Sequence, residues 1–102
     1  MYILVGPDTA SAAEIFSFTL KQFKKAIIIG QKTRGIANPV QAIKINKFFV
    51  GRFSMSRITN SITNTNWEIV GVRSDIKSSL DKSFEVAHTK ALEVLNERNQ
   101  KR

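Results

Sequence analysis

The stretch Tyr2-Ile-Leu-Val-Gly-Pro-Asp-Thr-Ala-Ser-Ala-Ala-Glu14, read together with Ala26-Ile-Ile-Ile-Gly30, decides the fold. Tyr2 to Val5 is a short apolar run stopped by Gly6-Pro7-Asp8, which reads as a strand followed by a turn. From about Ala10 to Lys25 the period becomes helical: Ala12, Phe16, Leu20 and Phe23 recur at spacings of four, four and three. Ala13 and Ile15 widen that stripe, and Lys24 and Lys25 lie where cations favour a helix C-terminus. Ala26 to Gly30 is β-branched, apolar on both faces and stopped by glycine, the pattern of a buried parallel strand. Strand, helix and strand in succession make a βαβ unit, whose crossover is expected to be right-handed.

Downstream, Gln31 to Gln41 is a polar loop containing Gly35 and Asn38-Pro39. Between Val40 and Ile58 the period shifts towards two: Ile43 and Ile45 alternate with Lys44 and Asn46, and Phe53 and Met55 with Ser54 and Ser56. With Gly51 between the two runs, the segment reads as a hairpin or a bent antiparallel pair. Asn60 to Asn66, rich in Asn and Thr, reads as a surface loop, and Trp67 to Val72 as a short strand. Leu80 to about Arg98 closes the chain as a helix, with Phe84, Ala87, Ala91, Leu92 and Leu95 as its apolar stripe and Asp81 at its start. No linker interrupts residues 1–102, which are read as a single α/β domain.

Composition narrows the function. Area scaling for 11.5 kDa predicts one modest core. No apolar stretch approaches the ~18 residues that a membrane-spanning helix needs. Zero cysteines exclude disulfides, thiolate zinc sites and a cysteine nucleophile, and the single histidine, His88, argues against a histidine metal site. No cofactor or metal is expected. A net charge of +8 invites a nucleic-acid reading, but the basic residues are scattered, with Arg98, Lys101 and Arg102 the densest group. No RNA-binding or zinc-finger motif accompanies them, so a solvated basic surface is favoured over a nucleic-acid partner.

Ser11 is the residue with chemistry to offer. A serine in the first turn of a helix that follows a strand lies beside unpaired backbone N–H groups. Such donors stabilise the oxyanion that forms when serine attacks a carbonyl. Ser11-Ala-Ala-Glu14 is equally a capping box, and the local pattern leaves both readings open.

Three segments in order carry a resemblance: Thr9-Ala-Ser-Ala-Ala-Glu14, then Ile28-Ile-Gly-Gln-Lys-Thr-Arg-Gly35 with Ala37-Asn-Pro39, then Trp67-Glu-Ile-Val-Gly-Val-Arg-Ser-Asp-Ile76. Together they resemble the tail-specific, C-terminal-processing serine peptidases, in the branch of interphotoreceptor retinoid-binding protein and the tricorn protease core. The resemblance implies a crotonase-like (Clp protease-like) partial domain: a βαβ unit, a β-hairpin and a C-terminal helix. It implies that the chain is the C-terminal part of a longer catalytic domain. Ser11 would be the nucleophile, Ala12 would supply an oxyanion-hole N–H from its backbone, and Glu68 would match the acidic residue supporting the catalytic apparatus. Protein or peptide segments would be the substrates, and the cell envelope the expected compartment.

Two departures matter. Gly35-Ile36-Ala37 stands where the processing proteases carry a Gly-Lys-Gly loop with the base, and Lys32 lies near but outside that position. Ser74-Asp75-Ile76 replaces the usual Pro-Asp-Ile. The base is then expected to be a histidine upstream of this chain, with His88 a surface residue of the closing helix. A serine without a base is a weak nucleophile, so the chain alone is expected to be inactive. The alternative is a binding module for peptides or apolar ligands, with Phe48, Phe49 and Phe53 as groove or core residues. Strands missing from the sheet edge would favour self-association of the isolated chain.

Overall fold

A computed structural model describes every residue from Met1 to Arg102. The expected βαβ unit is present. β1 (Tyr2–Val5) leads through a turn into α1 (Ala12–Gln22), and β2 (Ile27–Gly30) returns parallel to β1, with Tyr2 opposite Ile27 and Val5 opposite Gly30. In the turn, Thr9 closes back on Gly6: the Gly6 N–H donates to Thr9 Oγ1 at 3.0 Å and the Thr9 N–H to the Gly6 carbonyl at 2.9 Å. α1 ends in a Schellman motif, Lys25 N–H reaching the Leu20 carbonyl and Lys24 N–H the Lys21 carbonyl, with Lys24 at φ 54°.

The hairpin pairs β3 (Val40–Lys44) with β4 (Val50–Ser54), but its turn lies at Asn46 to Phe49. There Asn46 Oδ1 accepts the N–H groups of Phe48 and Phe49 at 2.9 and 3.0 Å. Gly51, expected at the turn, sits inside β4 opposite Ile43. The asparagine is the turn former because its side chain supplies the local acceptor. Trp67 to Val72 is not a strand. It forms turns around Ile69, and the third strand of the sheet is β5 (Ile76–Lys77), parallel to β2 in the order β1-β2-β5. α2 (Ser83–Gln100) has Lys82 rather than Asp81 at its N-cap position, without a side-chain cap.

α1 is turned relative to its apolar stripe. Its buried face is Glu14, Ser17 and Phe18, continued by half-buried Lys21, whereas Phe16 and Phe23 are 55% and 49% exposed. Each polar group on the inward face is satisfied: the Ser17 hydroxyl donates to the Ala13 carbonyl at 2.8 Å, and Lys21 Nζ meets Asp75 Oδ1 at 3.1 Å. Only Leu20 of the expected stripe joins a core cluster, against Val5, Ala26 and Ile28. The α2 stripe is likewise open except at buried Ala87 and half-buried Ala91, and Phe48, Phe49 and Phe53 of the hairpin are exposed.

The expected single core is therefore two small clusters. One is Val5, Ala26 and Ile28, and the other is Phe18, Ala37, Trp67 and Val72. Trp67, 2% exposed, lies against Phe18 with ring centroids 4.7 Å apart and 39° between planes. It anchors a turn where the sequence suggests a strand. The accessible surface of 7662 Å² exceeds the roughly 5,800 Å² that area scaling gives a compact monomer of this mass. The radius of gyration is 17.6 Å, against about 13 Å for a compact domain of this length. The excess is apolar in good part, through the exposed α1, hairpin and α2 residues. No helix is long and apolar enough to cross a membrane.

Because Trp67 is the largest side chain of its cluster, Trp67→Ala is expected to destabilise the fold by about 3–5 kcal/mol, read from the denaturant midpoint. Trp67→Phe keeps a ring against Phe18 and should cost clearly less.

Candidate active site around Ser11

Ser11 sits between β1 and α1 with φ 54° and ψ −118°. That pair lies outside the left-handed helical region, so a serine there is strained by roughly 1–3 kcal/mol. The side chain is exposed, and Ser11 and Glu14 form the capping box that the sequence suggests, the Ser11 N–H donating to Glu14 Oε2. The Ala12 N–H finds no acceptor within the chain, as expected of the first helical residue. The turn leaves the hydroxyl open to an incoming group and the neighbouring backbone N–H free to donate to it.

What holds the turn is Glu14. Its carboxylate is fully buried and accepts four hydrogen bonds. Oε2 receives the N–H groups of Ser11 and Ile36, each at 2.9 Å. Oε1 receives the Thr33 hydroxyl at 2.5 Å and the Gly35 N–H at 2.7 Å. The glutamate of the expected capping box thus reaches past its own helix and ties the serine turn to the loop after β2. Burial pushes the Glu14 carboxyl upward, but the bonds from Thr33, Gly35, Ile36 and Ser11 outweigh it and hold its pKa below the ordinary 4.5. The role of Glu14 beyond capping is not legible locally, because its partners lie more than one element away.

The loop is fixed again from its far side. Thr33 Oγ1 accepts the Val72 N–H at 2.7 Å, and the Gly35 carbonyl accepts the Ile69 N–H at 2.8 Å. Glu68 Oε2 accepts the N–H groups of Ala37 and Asn38 at 2.6 and 2.9 Å. Its other oxygen, Oε1, has no partner in the chain. Ile69 adopts φ 67°, an outlier for a β-branched residue, and packs its backbone against Gly35. A Cβ on Gly35 would come within 2.7 Å of the Ile69 carbonyl oxygen, so this approach requires glycine. Ser11 and Glu68 are therefore attached to opposite ends of one short loop, Ser11 through Glu14 at 33–36 and Glu68 directly at 37–38.

Other residues stand apart. His88 is exposed on α2, its ring stacked on Phe84 with centroids 5.8 Å apart. Lys32 is exposed at the end of β2. No group of three or more His, Cys, Asp or Glu side chains is placed to hold a metal ion.

The fold is a mixed α/β one, with a parallel sheet and an exposed serine at the turn from β1 into α1. The sequence pattern of peptidase family S41 matches residues 1–78, and the chain belongs to that family as a serine-peptidase-type domain. Among solved structures it is similar to a photosystem II D1 C-terminal processing protease, at 22% identity and TM-score 0.66, over 78% of this chain and 20% of that one. It is also similar to mature CPAF, at 20% identity and TM-score 0.63, over 90% of this chain and 18% of that one. Mature CPAF complexed with lactacystin gives 19% identity and TM-score 0.63, over 92% and 19%. The chain thus spans about a fifth of the length of the structures it matches.

A depressed carboxyl pKa sets the pH response. The stability contributed by Glu14 is present above the unfolded carboxylate pKa of about 4.5 and is lost as pH falls through its lower folded value. Glu14→Gln is expected to cost about 1–3 kcal/mol at neutral pH, since one amide cannot accept all four donors. Its stability should also be flatter than wild type below pH ~4.5, measured by chemical unfolding at stepped pH.

Proposed function

We propose that the chain is the C-terminal part of a peptidase catalytic domain and carries the serine half of its active site. Ser11 Oγ attacks the scissile carbonyl carbon while its proton passes to a base supplied from outside this chain. The Ala12 N–H stabilises the oxyanion of the tetrahedral intermediate. Collapse expels the amine, which takes the proton back from the base, and water then hydrolyses the acyl-serine by the same route. Glu68 acts on the base as a positioning residue. Its Oε2 is anchored by two backbone N–H groups, leaving Oε1 to accept an imidazole N–H. Unstructured or C-terminal protein segments are the substrates, and the fold completed by the rest of the domain is crotonase-like.

The single observation that carries this reading is the Ser11 backbone, φ 54° and ψ −118°. A residue acting only as a cap has no need of such strain, and natural caps take ordinary extended angles. The non-catalytic reading with an apolar ligand finds no support in the largest cavity, which no hydrophobic side chain lines.

Intact-mass labelling with a fluorophosphonate on the longest natural form of the protein should give one adduct, absent from Ser11→Ala. No adduct on a folded sample would reduce Ser11 to a helix-start residue. The purified 102-residue chain should not hydrolyse unstructured peptides. Hydrolysis lost in Ser11→Ala would show that the base lies within it.

The exposed apolar faces of α1 and the hairpin favour self-association of the isolated chain. Sedimentation at ~100 µM, a scale on which weak interfaces register, should show dimer, a strand-exchanged one included. A clean monomer would remove that part of the proposal.

A further inference from the structure

The carboxyl end of β2 opens into a cavity of about 730 Å³. Its charged walls are Lys32, Arg73 and Lys77, and Ser74, Ser78 and Ser79 add hydroxyls between them. No carboxylate and no hydrophobic side chain lines it. The chain's two ion pairs, Lys21 with Asp75 and Arg34 with Asp8, lie elsewhere and leave all three lining cations without an acidic partner. Asp75 is close in sequence but spent on the other side, Oδ1 on Lys21 and Oδ2 on the Ile28 N–H at 2.8 Å.

Cations gathered round one cavity with no counter-charge repel each other, and an anion entering it relieves that repulsion. The walls are held before any ligand arrives. The Arg73 carbonyl accepts from Lys21 Nζ at 2.5 Å, and the Ser78 N–H donates to the Gly30 carbonyl at 3.2 Å. Pre-ordered loops lower the entropy cost of binding. The place is also the one where open parallel sheets take ligands, outside the carboxyl ends of the strands. Val5 pairs with Gly30, so the end of β1 that leads to Ser11 lies beside the end of β2 that leads to Lys32. Ser11 does not itself line the cavity.

We propose that this cleft is a subsite for the side-chain carboxylates of an acidic peptide segment, flanking the bond presented to Ser11. The lining favours carboxylate over nucleic acid because no aromatic side chain is present on which a base could stack. The role in substrate selection rests on the peptidase reading, whereas binding itself does not.

The test is amide-resolved NMR of the complete 102-residue chain, titrated with a peptide rich in Asp and Glu and with its Asn and Gln counterpart. Inorganic phosphate and a single-stranded oligonucleotide form separate arms. The acidic peptide should give saturable shifts at Lys32, Arg73, Ser74 and Lys77 to Ser79, and its neutral counterpart should not. Lys32→Gln/Arg73→Gln/Lys77→Gln should weaken binding by about tenfold or more, and Arg73→Gln alone by roughly threefold. Lys101→Gln/Arg102→Gln, which removes the same kind of charge from the tail, should leave it unchanged. The proposal is overturned by an equal response to the neutral peptide, or by binding that survives in a folded triple variant. It is equally overturned by an equal loss in the tail variant, or by tighter binding of phosphate or oligonucleotide than of the acidic peptide. Acidic-peptide binding together with an unlabelled Ser11 would support the subsite and remove the peptidase reading alone.

Discussion

The Glu14 carboxylate is the interaction on which the rest depends. One buried side chain gathers donors from the serine turn, from Thr33 and from two backbone N–H groups of the loop after β2. A buried charge is costly unless its hydrogen bonds are complete, and here all four are made. Hydrogen bonds to charged groups contribute about 1.5–3 kcal/mol each, so the four together exceed the strain of roughly 1–3 kcal/mol at Ser11. The same charge explains why α1 turns a polar face inward: Glu14 can only reach the loop from the inner side, so Phe16 and Phe23 are carried outward.

Strain and its support are arranged in sequence along the loop. Ser11 is held in its conformation by Glu14, Gly35 admits the Ile69 backbone, and Glu68 closes over Ala37 and Asn38. Three chain segments far apart in sequence are thereby fixed by backbone N–H groups donating to carboxylates. Backbone donors have no rotamer freedom, so the serine and the glutamate are placed rigidly although both lie outside regular secondary structure.

The small buried core follows from which surfaces meet within the chain. The three-stranded parallel sheet and the Trp67 cluster supply its packing, and the molecule is elongated, 66 Å along its longest axis. The apolar stripe of α1 meets the core only through Leu20, and the hairpin phenylalanines stay exposed. Local periodicity records that a face is apolar and carries no record of what it is packed against.

The sequence by itself determined the βαβ unit, the hairpin, the closing helix and the serine at the strand-to-helix turn. Those depend on short-range period and on turn residues such as Gly6-Pro7 and Gly30, which act within a few positions. The resemblance of three ordered segments pointed to Ser11 and Glu68. Only the tertiary structure decided that Trp67 anchors a turn and that β5 is Ile76–Lys77, because the 67–72 segment bonds to the 33–35 loop instead of a neighbouring strand. It also decided that the inward face of α1 is Glu14, Ser17 and Phe18 and that Lys32, Arg73 and Lys77 share one cleft. These features are made by contacts between residues tens of positions apart, and a pattern read along the chain has no term for such contacts.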